Sequence, residues 1–135
     1  MDVLTKEQRH RCMAAISDKH TKPELLVRHT VSSLGYRYRL HSKNLPGKPD
    51  LVFSRVRKVI FVHGCFWHRH QCKKGQSLPK NNELFWRKKL SDNLARDRRS
   101  RSALKKAGWT CLVIWECETK GNLKLIQHIT NFLAK

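Results

Sequence analysis

The sequence predicts one α/β domain in which a mixed central sheet is flanked by helices. A chain of 135 residues is long enough for a single domain with its own core. Two apolar runs of strand length, at 58–63 and 109–115, are bounded by turn residues and indicate buried strands. Helical patterns surround these strands, and the predicted element order is α-α-β-β-β-α-β-α.

Two helices are expected at the N-terminal end of the chain. Residues 4–17 form the first, and it is a short one. Thr21, Pro23 and Glu24 are typical of a helix start, because they supply an N-cap, an early proline and an acid three residues after the cap. This second helix continues to about residue 34, and Gly35 ends it.

The next segments predict strands joined by short turns. Apolar and basic residues alternate at 36–40, which is the period of a half-buried strand. The proline- and glycine-containing segment 44–49 is a loop. Strands at 50–53 and 58–63 should pair as a hairpin around the turn at 54–57. The second of them is apolar on both faces, so we expect it at the centre of the sheet.

The C-terminal half contains the longest predicted helix. An irregular basic loop at 73–82 precedes a basic helix from 83 to about 107, which Gly108 ends. The strand at 109–115 follows, and Asn122 caps a final amphipathic helix. The apolar residues expected to pack are Leu84, Leu90, Leu94 and Leu104 in the long helix and Leu123, Ile126, Ile129 and Phe132 in the last one.

The charge of the chain points to a polyanionic partner. Lys and Arg number 29 against 10 Asp and Glu, giving a formal net charge of +19. Nucleic acid is the leading candidate, because neutralising phosphates releases counterions. The alternative is a solvated basic surface or a ribosome-like adaptor. No segment is apolar enough to span a bilayer, and the N-terminus lacks a signal-peptide hydrophobic region, so we expect an intracellular protein with reduced cysteines.

The segment 63–72 carries an unusual concentration of metal-binding side chains. Cys65, His70 and Cys72 are soft ligands within eight residues, and zinc favours such thiolate and imidazole groups. Cys117 follows the last strand and reaches the same sheet end if that strand lies beside 58–63. The alternative is that these cysteines are small buried apolar residues. That second interpretation is the one we apply to the isolated residues Cys12 and Cys111.

Asp50 and two histidines are candidates for chemistry on phosphate. Asp50 opens a strand, as does the carboxylate that holds magnesium in many nuclease hairpins, although a turn-forming aspartate after proline is common. His63 and His68 are not required for zinc, and either can act as a general base or stabilise charge near a phosphate. For Glu24, helix capping and a water-mediated metal contact are equally good explanations.

Several motifs together identify a family. They are LPGKPD at 45–50, VIFVHGCFWHRHQC at 59–72, FW at 85–86, Asn93 with RDRR at 96–99, GW at 108–109 and WEC at 115–117. This combination covers nearly the whole chain and resembles the Vsr family, the very short patch repair endonucleases of bacteria. The resemblance implies a restriction-endonuclease-like α/β core with a structural zinc and a single endonuclease domain over 1–135.

The resemblance also implies an activity and its partners. The expected reaction is magnesium-dependent nicking of duplex DNA on the 5′ side of the thymine in a T:G mismatch, the lesion left by deamination of 5-methylcytosine. We therefore expect Mg²⁺ as catalytic and Zn²⁺ as structural cofactor, and a functional link to a DNA cytosine methyltransferase. A monomer in the bacterial cytoplasm, associated with the nucleoid, is the expected state.

The same resemblance assigns roles to individual residues. Asp50 binds magnesium with help from the Val62 carbonyl, and Glu24 supports this site. His68 is the general base, and His63 contacts the reacting phosphate or its water. Zinc binding falls to Cys65, His70, Cys72 and Cys117. The residues assigned to DNA are the stacking wedge Phe66, Trp67 and Trp86, then Lys89 and Asn93 at the mismatched pair, and Met13 on the first helix, which enters from the minor-groove side.

Two positions depart from the family pattern, and more than one function fits these residues. Val62 replaces a threonine, and Arg69 stands where the best-known member has a histidine, so that histidine is not essential here. Trp109 and Trp115 are interpreted as core residues at the ends of a strand. The alternatives to a mismatch nickase are a non-catalytic zinc module that binds duplex DNA and a nuclease acting on branched DNA. Asp50 with the two histidines favours an enzyme, since binding alone requires none of them.

Overall fold

The computed structural model describes residues 21–72 and 74–134, which form three α-helices and one four-stranded sheet. The predicted helix at 4–17, with Cys12 and Met13, lies outside the described residues. The helices are α1 (Lys22–Ser33), α2 (Glu83–Lys106) and α3 (Asn122–Ala134). The strands are β1 (Arg39–Leu40), β2 (Leu51–Phe53), β3 (Lys58–His63) and β4 (Thr110–Trp115), and short 3₁₀ helices occupy Lys74–Gln76 and Glu116–Lys120.

The sheet is mixed, as the sequence predicted, and its strand order is β1-β2-β3-β4. The hairpin is confirmed, because β2 pairs antiparallel with β3, with Leu51 opposite Ile60. β4 lies parallel to β3, and this pairing places Trp115 opposite His63. β3 therefore has a neighbour on each side and is buried along almost its whole length, which confirms its central position.

Helices cover both faces of this sheet. On one face, α1 and α3 pack against alternate side chains of β2, β3 and β4 around Ile60 and Ile114. On the other face, Leu104 of α2 packs against Val59 and Phe61. Because side chains of a strand alternate between faces, the two cores draw on different residues of the same strands. Among the described residues, none of the helices is both long and apolar enough to cross a membrane.

Polar side chains form hydrogen bonds with backbone groups at the ends of α1 and α3. The Thr21 hydroxyl accepts the Glu24 backbone N–H at 3.4 Å, which confirms the predicted N-cap. At the other end of the fold, the buried Lys58 ammonium donates to the carbonyl of Phe132 at 2.7 Å. A lysine suits the C-terminal turn of a helix, because the last carbonyls lack partners within the helix. Lys58 thereby ties α3 to the central strand.

Some predicted packing residues lie on the surface. Leu84, in the first turn of α2, is 84% exposed. A helix of 24 residues is roughly 36 Å long and a strand of six residues is roughly 20 Å long, so the first turn of α2 projects past the core. Leu123 and Ile126 are also exposed, since the buried stripe of α3 is Leu125, Ile129 and Leu133. The strand expected at 36–40 is reduced to the two exposed residues of β1 at the sheet edge.

Gly47 is a glycine at which both the backbone conformation and the available space oppose a side chain. Its φ is +77°, and an added Cβ would lie 2.7 Å from the Ser100 Cβ on α2. Gly47→Ala should therefore destabilise the fold by about 1–2 kcal/mol from backbone strain and a further ~1–3 kcal/mol from overpacking. Gly108→Ala is the matched control, because φ is +90° there and nothing lies within 4 Å of the added carbon. Urea unfolding measures the free energy of unfolding of both variants, and equal losses would show that packing at Gly47 contributes nothing.

Candidate active site and metal centre

Three clusters of titratable side chains form near one edge of the sheet, and the first contains the cysteines of the 63–72 segment. Cys65, His70, Cys72 and Cys117 each present a ligand atom, and these atoms lie within 4.8 Å of one another. Nδ1 of His70 is 3.7 Å from the Cys65 sulfur and 3.5 Å from that of Cys117. The structure thus brings together the four residues predicted to bind zinc, which we call the Cys3His cluster.

The parallel pairing of β3 with β4 explains how Cys117 reaches this cluster. Because His63 lies opposite Trp115, the residues two positions later, Cys65 and Cys117, leave the sheet side by side. Trp115, interpreted from the sequence as a core residue, is half-buried and stacks on the His70 ring at 4.3 Å between centroids. Cys111 is half-buried against the α2 side of the sheet, in agreement with a structural cysteine.

The second cluster, which we call the carboxylate cluster, consists of Glu24, His41 and Asp50. Glu24 is only 2% exposed, and its carboxylate accepts from Nε2 of His41 at 2.9 and 3.0 Å and from Arg28. Asp50 Oδ2 accepts the backbone N–H of Val62 at 2.7 Å, while its Oδ1 lies 4.0 Å from Nε2 of His41. The structure therefore brings Glu24, Asp50 and Val62 together, and their binding of magnesium stays a prediction.

Burial and charge perturb both carboxylates of this cluster. Burial is the largest influence on Asp50 and raises its pKa to about 7. The hydrogen bond from the Val62 backbone N–H acts to lower this pKa, and the nearby Glu24 charge acts to raise it. Burial also opposes ionisation of Glu24, but hydrogen bonds and charge from His41 and Arg28 prevail and lower its pKa. Glu24 is charged, and Asp50 beside it resists ionisation. A cation bound between them would stabilise the ionised form of both carboxylates.

The third cluster, which we call the histidine cluster, consists of His63, His68 and Asp97. The two imidazoles stack with centroids 3.8 Å apart and planes 5° from parallel. Nδ1 of His68 lies 2.5 Å from the Asp97 carboxylate. Because that nitrogen is engaged, Nε2 of His68 is the one left to exchange a proton with a substrate.

His63 is held neutral by its surroundings. Its side chain is 94% buried at the end of β3, and burial, followed by the charge of His68, lowers its pKa to about 3. Its Nδ1 is buried and has no hydrogen-bond partner among the described residues. For Asp97, burial favours the neutral acid, but the His68 hydrogen bond and charge outweigh it and lower the pKa. The cluster thus combines a neutral imidazole with an aspartate–histidine pair.

Three aromatic side chains form a compact group beside the histidine cluster. The rings of Phe66, Trp67 and Trp86, here called the aromatic cluster, have centroids 5.2–5.7 Å apart. All three are half-buried, and Trp86 stands on the first turn of α2. Phe85, 58% exposed, contacts the Trp86 ring edge-on. The three residues predicted as a wedge are therefore contiguous and partly accessible.

Helix α2 gives this aromatic cluster a basic setting. The Asn93 amide donates to the Trp67 carbonyl at 3.2 Å, and its oxygen accepts from Arg96, so this residue, predicted to touch DNA, also anchors the loop. Lys89 is exposed, with its ammonium 6.0 Å from the Phe85 ring centre. The other exposed basic residues of the helix are Arg87, Lys88, Arg96, Arg98, Arg99, Arg101, Lys105 and Lys106.

Sequence reasoning missed two members of these clusters. Asp97 is an acid within a run of arginines, and the scarcity of acidic residues was a signal that could have identified it. His41 gave no local signal, because its place in the carboxylate cluster depends on the pairing of β1 with β2. Its backbone N–H donates to the Asp50 carbonyl at 3.1 Å, just beyond the predicted strand.

Comparisons with known proteins give matches over most of the chain. The model of the family described as DNA mismatch endonuclease Vsr matches residues 1–74. The chain is 46% identical over 132 residues to the type II nicking enzyme V.XorIIP of Xanthomonas oryzae pv. oryzae, covering 98% of this chain and 96% of that protein. It is 40% identical over 124 residues to the DNA mismatch endonuclease Vsr of Escherichia coli K12, covering 92% and 79%.

A third relative is the type II nicking enzyme V.NmeAIP of Neisseria meningitidis serogroup A, 44% identical over 119 residues, with 88% of this chain and 84% of that protein covered. The chain belongs to the Vsr family of DNA mismatch endonucleases.

The raised pKa of Asp50 predicts a stability cost that depends on pH. Between about pH 4 and 7 the folded state keeps a proton on Asp50 that the unfolded state has lost. The free energy of unfolding therefore falls as pH rises through this range and stays lower above pH 7. At pH 8, without magnesium, Asp50→Asn should be more stable than the parent by about 1–4 kcal/mol. Urea unfolding of both proteins from pH 4 to 8 measures the difference. Parallel curves would contradict a raised pKa.

Proposed function

We propose that this protein is a magnesium-dependent endonuclease that nicks duplex DNA on the 5′ side of the thymine of a T:G mismatch. The observation that carries the proposal is the close pairing of His68 with Asp97, stacked on His63, at the strand end next to the Asp50–Val62 contact. Duplex binding alone requires none of these groups. The names of the relatives, which include a DNA mismatch endonuclease and nicking enzymes, agree with it.

In this proposal the carboxylate cluster holds the magnesium ion. The oxygen donors fit a hard cation, and Asp50 Oδ1 is the oxygen that does not accept from Val62. The Val62 carbonyl is the proposed backbone ligand, and Glu24 acts through water. When bound, magnesium would neutralise charge that develops on the phosphate. A bound ion would also favour ionisation of Asp50 beside the already charged Glu24, which burial otherwise opposes.

The histidine cluster supplies proton transfer. Asp97 holds Nδ1–H of His68, so Nε2 is oriented to accept a proton from the attacking water. His63, neutral because its pKa is about 3, contacts the phosphate or the water through a nitrogen rather than as a cation. The Asp97 charge stabilises the imidazolium that forms on His68, as an aspartate does in other acid–base pairs.

The Cys3His cluster is proposed to hold a structural zinc. A tetrahedral ion with sulfur at about 2.3 Å and nitrogen at about 2.1 Å separates these atoms by roughly 3.6 Å. The separations of 3.7 and 3.5 Å from Nδ1 of His70 agree with this. The four protein ligands leave no open position, so zinc would stabilise the loop between Gly64 and Cys72 and would not bind substrate.

The remaining features of the proposal follow from the family. A restriction-endonuclease-like core, one endonuclease domain over 1–135 and a monomeric state are proposed. The substrate places the protein at the bacterial nucleoid, together with the DNA cytosine methyltransferase whose product deaminates to thymine. The alternative is a non-catalytic zinc module, which would bind the mismatched duplex without cleaving it.

A duplex labelled on each strand and carrying one T:G mismatch tests the activity directly. With magnesium, only the thymine strand should be nicked, on the 5′ side of the thymine, and the matched duplex should remain intact. Asp50→Ala should bind but not nick, and His68→Ala should lose about 10²–10⁴ in rate. Asp92→Ala, at an exposed acid of α2, is the matched control with the parental rate. Binding without nicking would favour the zinc module, and cleavage of branched DNA alone would favour the junction nuclease.

Truncation of Trp67 tests the wedge separately from catalysis. In the proposal its ring stacks beside the mismatch, where opening the duplex is cheaper than in matched DNA. Trp67→Ala should cost about 1–3 kcal/mol of affinity for mismatched duplex. Affinity for matched duplex should hardly change, because it comes from basic side chains on phosphates and falls with salt. Titrations of both duplexes at several salt concentrations provide the measurement, and equal losses would assign Trp67 to packing.

A further inference from the structure

His41 is the one member of the carboxylate cluster to which the proposed mechanism gives no role. Its backbone N–H is bonded to the Asp50 carbonyl, so the imidazole is held beside the Asp50 side chain. The ring is mostly buried, with its Nε2 pointing at Glu24 and towards Oδ1 of Asp50. An imidazole in this position is either a hydrogen-bond donor to Glu24 or a further ligand to the ion that Asp50 would hold.

The distances agree with a shared ion. Around an octahedral ion with bonds of about 2.1 Å, adjacent ligand atoms lie about 3.0 Å apart and opposite ones about 4.2 Å. Nε2 of His41 is 4.0 Å from Asp50 Oδ1, which is close to the separation of opposite ligands. Its 2.9 Å contact with Glu24 is a hydrogen bond that the imidazole would exchange for a bond to the ion. The three groups offer ligand atoms within 4.8 Å of one another, so a small shift of the side chains accommodates an ion.

We infer that His41 is a direct ligand of the divalent ion, so that the site is a mixed nitrogen–oxygen centre that favours manganese over magnesium. Magnesium prefers oxygen and water, whereas transition ions of the first row accept imidazole readily. The inference rests on the proposed function, since it concerns the same ion site. It adds a specificity-determining residue, because a centre of oxygens alone would discriminate less between the two ions.

Metal binding without DNA tests this directly, with zinc-loaded protein and Mn²⁺ or Mg²⁺ as the probe. His41→Gln keeps a hydrogen-bond donor for Glu24 but removes the imidazole nitrogen. It should weaken Mn²⁺ binding by about tenfold or more and weaken Mg²⁺ binding much less. Pulsed electron paramagnetic resonance of bound Mn²⁺ should detect ¹⁴N coupling in the parent and lose it in His41→Gln. His29→Gln, at an exposed histidine of α1, should keep both the affinity and the coupling.

The outcomes separate this inference from the proposed function. If Asp50→Asn abolishes Mn²⁺ binding but His41→Gln leaves affinity and ¹⁴N coupling unchanged, the ion site stands and His41 is not a ligand. If coupling is lost in His68→Gln and not in His41→Gln, the ion lies in the histidine cluster and the inference is overturned. If Asp50→Asn changes neither ion's binding, the carboxylate cluster is not the metal site, and both proposals fail. Zinc content, measured for every variant, shows that the Cys3His cluster is intact.

Discussion

The parallel pairing of β3 with β4 is the constraint on which the rest of the site depends. Parallel strands end at the same edge of a sheet, so the segments that follow them are neighbours although they are 51 residues apart at Cys65 and Glu116. The backbone N–H of Cys65 donates to the Glu116 side chain at 3.3 Å, which joins the two segments directly. A shift of this register by one residue would move His63 to the opposite face and separate Cys65 from Cys117.

The Cys3His cluster and the histidine cluster are mechanically linked through Trp115. Its ring stacks on His70 and meets the edge of His63 at 5.3 Å, so one side chain contacts a member of each cluster. The loop between Gly64 and Cys72 contains turns but neither helix nor strand, and it carries His68 and two members of the aromatic cluster, Phe66 and Trp67. Backbone N–H groups of His68 and His70 donate to the Gly64 and Cys65 carbonyls within this loop. An ion bound by Cys65 and Cys72 would in addition fix both ends of the loop.

Local patterns in the sequence were sufficient for most of the fold. The bounds of β3, the start of α1 after Thr21 and the hairpin follow from apolar runs and turn chemistry that act over a few residues. The exposed Leu84 could not be anticipated, because it depends on how far α2 extends past the sheet. The site divides in the same way. Cys65, His70 and Cys72 share one segment and were found, and Cys117 followed from the expected pairing of two buried strands. His41 enters through the pairing of the short edge strand β1 and was not found.

The charge distribution explains why discrimination between DNA duplexes cannot come from the basic surface. A formal charge of +19 attracts every phosphate backbone, and the exposed lysines and arginines of α2 distinguish no base sequence. The acids Glu24, Asp50 and Asp97 are withdrawn into clusters where they bond histidine or backbone groups, so they do not offset this attraction at the surface. Any preference between duplexes must then arise where side chains meet bases, and the uncharged aromatic cluster is the part of the described chain suited to that contact. The described chain thus keeps two features apart: a basic surface on α2, which suits attraction to any DNA, and an uncharged group of rings near His63 and His68, which suits contact with bases.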